Sequence, residues 1–190
     1  MEKSAALEKI ALKIRACRKC GLSDERIQAV PGDGSPSASL MMVGEGPGRQ
    51  EDEEGKPFVG AAGRLLNELL VEIGLAREEI YITNVVKCRP PGNRDPLPGE
   101  KEICLPYLRE QVALIHPRLI CPLGNHALST LLKTEETISR MHGRAVLKGG
   151  LVFFPLYHPA AALYNVNLRK TMEKDFANLA ELLKKERILL

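Results

Sequence analysis

Apolar positions along the chain fall into two alternating kinds of segment, and that alternation is the first thing the sequence reports. Leu7, Ile10, Ala11 and Ile14 recur at helical spacing, predicting a first helix that runs to the Cys17 region, where CRKCG breaks the pattern. A loop rich in Gly, Pro and Ser, PGDGSPSAS, leads into the short apolar run Leu40 to Val43, which reads as a buried strand ended by Gly44. In GAAGRLLNELLVEIG, Leu65, Leu66, Leu69, Leu70 and Ile73 share one helical face, and Gly74 suits the left-handed residue that closes a helix. Ile80 to Val86 is β-branched and reads as a second strand. After the turn-rich RPPGNRDPLPG a helix runs to His116, with Pro98 in its first turn and Pro106 as a kink. Leu119 to Leu123 is a third strand, Asn125 to Lys133 a helix, Leu151 to Leu156 a fourth strand, and Leu168 to Ile188 a closing amphipathic helix.

Short continuous apolar strands alternating with helices are the mark of a parallel sheet covered on both faces. The expected architecture is therefore a three-layer α/β/α sandwich with a central, mainly parallel four-stranded sheet. No internal repeat or long linker appears, so residues 1–190 are read as one domain. In such sheets the ligand crevice lies beyond the carboxyl ends of the strands. Three conspicuous segments follow strand ends: GEGPG after Val43, Asn84 to Cys88, and YHPA after Leu156.

Composition narrows the class without naming a chemistry. With 190 residues, 44% hydrophobic and a formal charge of +3, the chain has the makings of an ordinary globular core. Tryptophan is absent and aromatics are only 4%, which makes any Phe or Tyr in a loop worth examining. No apolar run reaches the roughly 18 residues of a membrane span, and MEKSAALEKI lacks the apolar stretch of a signal peptide, so a cytoplasmic protein is expected. Charge is unevenly spread. Between Thr137 and Lys170 there is no acid, while Arg140, Arg144, Lys148, Arg169 and Lys170 give +5; Glu45 to Lys56 carries a local −3. An acid-free basic stretch is what a phosphate-facing surface requires, although on charge alone an ordinary solvated face is the plainer reading.

Five cysteines in a reducing compartment do not form a disulfide framework. Cys17 and Cys20 make a C-x-x-C at a helix end, and Cys88 and Cys104 bracket the proline-rich loop. Together they are a four-thiolate set for a metal. Cys121, inside LICPLG, reads as a small buried hydrophobe. Spacing alone leaves tetrahedral zinc and an iron-sulfur cluster both open.

The run VGEGPGRQEDEEGKPFVGAAGRLL, the run ITNVVKCRPPGNR, the four cysteines and YHPA together resemble the family four uracil-DNA glycosylases, over nearly the whole chain and in order. The resemblance implies an α/β/α fold, a 4Fe-4S cluster on Cys17, Cys20, Cys88 and Cys104, and removal of uracil from DNA, single- or double-stranded. It implies a backbone cradle for the base at Gly44, Glu45 and Gly46, a stacking wall at Phe58, a base-reading amide at Asn84 and a catalytic histidine at His158. A flipped base needs such a wall and such polar partners. In family one enzymes the place aligned with Gly46 carries a water-activating Asp, so Glu45 and Glu51 become the candidate bases; the thymine-blocking Tyr is likewise replaced by Gly48, and Glu51 is the candidate to fill that space. With YHPAAALYN at the pocket, Leu163 or Tyr164 is the expected wedge and Arg140, Arg144, Lys148, Arg169 and Lys170 the phosphate contacts, which reverses the plainer reading of that face. His116, His126 and His142 are expected only to satisfy loop carbonyls. A monomer is expected, and no tail motif for a sliding clamp is found. Two rivals keep a place: a non-catalytic, metal-stapled nucleic-acid-binding module, and a zinc-stapled hydrolase of another substrate.

Overall fold

The computed structural model describes residues 2–185. Fifteen elements and two 3-10 turns follow one another: α1 Glu2–Arg15, α2 Leu22–Glu25, β1 Asp33–Gly34, β2 Leu40–Gly44, α3 Arg49–Glu54, α4 Ala61–Glu72, a turn at Arg77–Glu79, β3 Tyr81–Asn84, a turn at Pro91–Asn93, α5 Pro98–Ile115, β4 Leu119–Pro122, α6 Gly124–Leu132, α7 Ile138–Met141, β5 Val146–Lys148, β6 Leu151–Phe153, α8 Pro159–Ala162 and α9 Val166–Lys185. The closing helix was expected to reach Ile188; its last three positions lie outside the described residues.

The sheet has six strands in the order β1-β3-β2-β4-β6-β5, not four. The four expected strands are its parallel centre, with Met42 beside Ile82 on one side and beside Cys121 on the other. Sequence periodicity missed the two edge strands for a physical reason. Asp33–Gly34 is two residues long, and Val146–Lys148 is largely exposed, so neither has an apolar run to betray it. Both pair antiparallel and close the sheet's edges.

Strand alternation sorts the core into two layers. Met41 and Val43 face Ile10, Ile14, Leu108, Ile115 and Leu128 of α1, α5 and α6. Leu40 and Met42 face Leu65, Leu66, Leu69 and Leu70 of α4 and Met172, Phe176 and Leu179 of α9. Each such side chain taken fully from water contributes about 1.5–3 kcal/mol, so the sheet is pinned on both faces and its edge is a fixed platform. Gly74, at φ 74°, closes α4 as expected, and His116, at φ 57°, ends α5 with its N–H donated to the Val112 carbonyl. Cys121 is completely buried in β4, where desolvation pushes its thiol far up. No helix among the described residues is long and apolar enough to cross a membrane.

Candidate functional site

The carboxyl ends of β2 and β3 and the segment after β6 meet over one cavity of about 380 Å³, lined by Glu45, Gly46, Gly48, Glu51, Phe58, Asn84 and His158 among others. Its back wall is set by the backbone. The Gly44 and Glu45 carbonyls accept the Val85 and Val86 N–H groups at 2.9 and 3.0 Å, extending the parallel ladder past the strand end. Gly44 has to be glycine. A Cβ there would stand 2.4 Å from Asn84 Oδ1 and 2.8 Å from Phe58 Cζ, the two groups that close on it.

Phe58 is held in a left-handed conformation, φ 51°, which L side chains adopt only under constraint. The constraint comes from two sides. Arg77 donates to the Phe58 carbonyl at 3.1 Å and to the Pro57 carbonyl, while Glu51 Oε1 accepts the Val59 and Gly60 N–H groups, each at 3.0 Å. Gly63 permits the turn, since a Cβ there would lie 1.9 Å from the Phe58 oxygen. The ring is 6% exposed, with its centroid 5.5 Å from that of His158.

Asn84 is 2% exposed, and its Oδ1 is buried with no hydrogen-bond partner. Leaving such an acceptor unpaired costs about 1–3 kcal/mol, a penalty that a bound donor removes. His158 caps α8: its Nδ1 accepts the Ala160 N–H at 3.2 Å. In the neutral ring the proton therefore sits on Nε2. Burial lowers the His158 pKa to about 4, only partly opposed by Glu51, so the ring is neutral at pH 7. The site thus holds an acceptor, an N–H donor and a flat apolar wall.

The two carboxylates proposed as bases part company. Glu51 is committed on both oxygens, since Oε2 also accepts the Gly48 N–H at 3.1 Å. That oxygen lies 2.8 Å from where a Gly48 Cβ would be. Glu45 is half-buried, and desolvation raises its pKa above the ordinary carboxylate value. Its Oε2 is 3.9 Å from His126 Nε2, which lies 3.3 Å from Asp95 Oδ2. His126 and His142 are thus partnered by carboxylates and not by loop carbonyls, His142 Nδ1 meeting Asp175 Oδ2 at 2.7 Å. Asp175 is buried whereas Asp95 is exposed, and neither acid is close in sequence to its histidine.

All four cysteines of the set line one small hollow between α1, the loop after β3 and α5, and none is in a disulfide. Among the described residues no three of these sulfurs lie within 4.8 Å of one another. Four thiols lining one hollow are the donor set that a 4Fe-4S cluster takes. Cationic and backbone donors point at it: Arg26 Nη1 donates to Cys88 Sγ at 2.9 Å and the Lys87 N–H to Cys104 Sγ at 3.3 Å.

Of the residues expected on DNA, Leu163 and Arg169 line one surface hollow and Arg140 and Arg144 another. Arg140 and Arg144 share a hollow with Lys174, which sequence reading overlooked because it lies beyond the acid-free stretch. Arg169 pairs with Glu68 and Glu173, and Lys148 donates to the Leu132 carbonyl. Leu163 is 37% and Tyr164 97% exposed just beyond α8, beside Val166 at 71%. The buried Lys87, and Asn93 and Asp95 at the cavity's rim, also escaped the sequence reading. For Lys87 no sequence signal existed, because a lysine in NVVKC is indistinguishable from a solvated one until the chain folds over it.

The profile of the Uracil DNA glycosylase superfamily matches residues 31–184. The chain is 48% identical to a type-4 uracil-DNA glycosylase of Sulfurisphaera tokodaii over 93% of its own length and 84% of the relative's. It is 46% identical to one of Archaeoglobus fulgidus, over 93% of each chain, and 40% identical to one of Thermotoga maritima, over 95% and 96%.

Proposed function

The chain belongs to the uracil DNA glycosylase superfamily, and from that premise we propose that it acts as a type-4 uracil-DNA glycosylase, a repair enzyme that takes uracil flipped out of DNA, hydrolyses its N-glycosidic bond and leaves an abasic site. The observation that carries the reading is the buried, unpartnered Asn84 Oδ1 beside the Phe58 ring. Uracil offers an N–H at N3 and a carbonyl at O4, so one amide satisfies both. Cytosine presents the reverse pattern and would leave both ends of the amide opposed, which is how a hydrogen-bonding site rejects by factors of about 10⁴.

Bond cleavage leaves positive charge on the sugar and negative charge on the base. Donors fixed where that negative charge develops give the largest gain. His158 supplies one as a neutral Nε2–H aimed at uracil O2, its other nitrogen being occupied by the Ala160 N–H; the turn at Gly44 to Gly46 supplies backbone N–H groups. Glu45, half-buried and bonded to no backbone donor among the described residues, is the carboxylate that receives a proton from the attacking water. Glu51 holds the loop that carries Phe58 and fills the place where a thymine methyl would go. Leu163 and Tyr164 enter the stack as wedge, while Arg140, Arg144 and Lys174 hold phosphates.

Cys17, Cys20, Cys88 and Cys104 would hold a 4Fe-4S cluster. When bound it supplies four iron–thiolate bonds that tie the end of α1 to the loop after β3 and to α5. The purified protein should be brown, with broad visible absorbance; a colourless protein prepared without air would contradict the cluster. Incubation with an oligonucleotide carrying one uracil, followed by alkali, should cut the strand at that position only. An intact strand would contradict the activity and return the chain to a binding role.

A further inference from the structure

Lys87 is 1% exposed, the only lysine among the fully buried side chains of the described residues, and no catalytic step uses it. Its Nζ meets Thr83 Oγ1 at 2.5 Å, Gln111 Oε1 at 2.7 Å and the Asn84 carbonyl at 2.8 Å. Each partner is fixed as an acceptor. Thr83 spends its own hydrogen on the Pro31 carbonyl at 2.8 Å, and Gln111 Nε2 donates to Pro31 O at 2.8 Å and to the Tyr81 hydroxyl at 3.0 Å, which turns Oε1 toward the lysine. Three acceptors match the three hydrogens of an ammonium.

The sheet explains why a side chain is needed there. The Val85 N–H turns toward β2 to reach the Gly44 carbonyl, so the Asn84 carbonyl turns to the other side, toward β1. β1 pairs Asp33 with Ile82 and Gly34 with Tyr81. Continued by the same register, it would set Pro31 opposite Asn84, and proline has no N–H to give. A buried carbonyl would be orphaned at the base-reading residue. Lys87 Nζ takes the place of the missing strand donor, while the Lys87 backbone donates to Cys104 Sγ and accepts from the Val30 N–H at 2.7 Å.

We propose that Lys87 is a positioning residue for base recognition, an N–H of its buried amino group replacing the absent strand N–H and thereby fixing the Asn84 peptide whose amide reads the base. The proposal rests on Asn84 being that amide. Lys87 also joins the cysteine hollow to the pocket, one residue bonded to Cys104 through its backbone and to Asn84 through its side chain.

A double-mutant cycle tests it. K87M keeps the stem and removes the three donors. In single-turnover excision from a uracil oligonucleotide it should lower the rate by ~10²-fold, the scale of a slightly misplaced reacting partner, and raise the inhibition constant of free uracil in step. In an N84A background the same substitution should cost less than about 3-fold, because the residue it aims is gone. T83V, which keeps shape and removes one acceptor, should lose activity several-fold with the same dependence on Asn84, and serves if K87M does not fold. Visible absorbance and melting temperature report the fold of every variant. Equal losses with and without Asn84, in folded protein, overturn the role of Lys87 while leaving the base-reading assignment standing. If N84A alone costs nothing, the base-reading assignment falls and the proposal with it.

Discussion

The base pocket and the strand-facing rim are built on opposite principles. In the pocket each group proposed to read the base is immobilised: Asn84 is 2% exposed, Phe58 is clamped from both sides by Arg77 and Glu51, and His158 is oriented by its own helix cap. At the rim Tyr164 is 97% exposed, and the cations are long side chains, some already paired with acids of their own, such as Arg169 with Glu68 at 2.9 Å. Recognition of one base needs groups that lose no freedom on binding. Phosphates demand only charge within reach, and that charge is screened by salt. Selectivity and rate should therefore reside in the pocket, and affinity at the rim.

Substitutions can separate the two. H158A should have the largest effect, ~10³-fold in the excision rate, the upper range for losing one preset donor, with duplex affinity nearly unchanged in a filter-binding titration. N84A should follow at ~10²-fold, since it removes two hydrogen bonds but leaves the donor at O2. E51Q keeps size and loses the capacity to accept three backbone N–H groups, because its amide nitrogen must face one of them. A cost of about 1–3 kcal/mol is expected, read as a lower melting temperature and about tenfold slower excision, with some release of thymine from a T·G pair. At the rim, R144A with K174A should change single-turnover rates least, weakening binding uniformly over sequence and flattening the salt slope by about one unit per lost phosphate contact. A rim variant that slowed saturated excision as much as N84A would break the division.

Acid response sharpens the same division. An ordinary histidine gains its proton near 6.5, whereas His158 in its cavity does so near 4. Activity should then be level across pH 6–8, with its acid limb lying below the ordinary histidine value. Because the unfolded chain binds that proton more readily, the contribution of neutral His158 to stability is complete above 6.5 and is lost as pH falls toward 4. A kinetic limb near 6.5 would mean a solvated ring.

Much of the fold was legible because its central strands are apolar runs and its helices carry clean stripes, as with Leu65, Leu66, Leu69 and Leu70. The edge strands were not, since Asp33–Gly34 and Val146–Lys148 owe their pairing to neighbours and not to their own pattern. The pocket's residues were legible by resemblance, yet the sequence left Glu45 and Glu51 equivalent; what separates them is which carboxylate the backbone N–H groups reach. Lys87 and the His126 contact with Asp95 were invisible, because burial and long-range pairing are properties of the folded chain alone.

The central claim is that the pocket receives uracil on Phe58 with its N3–H on Asn84 Oδ1 and its O2 at His158. A crystal soaked with free uracil tests it most directly. The account predicts the ring lying parallel to Phe58, N3 about 2.9 Å from Asn84 Oδ1 and O2 within about 3.2 Å of His158 Nε2, ordinary hydrogen-bond lengths. Uracil bound elsewhere, or in the cavity with Asn84 Oδ1 still unpartnered, would contradict it.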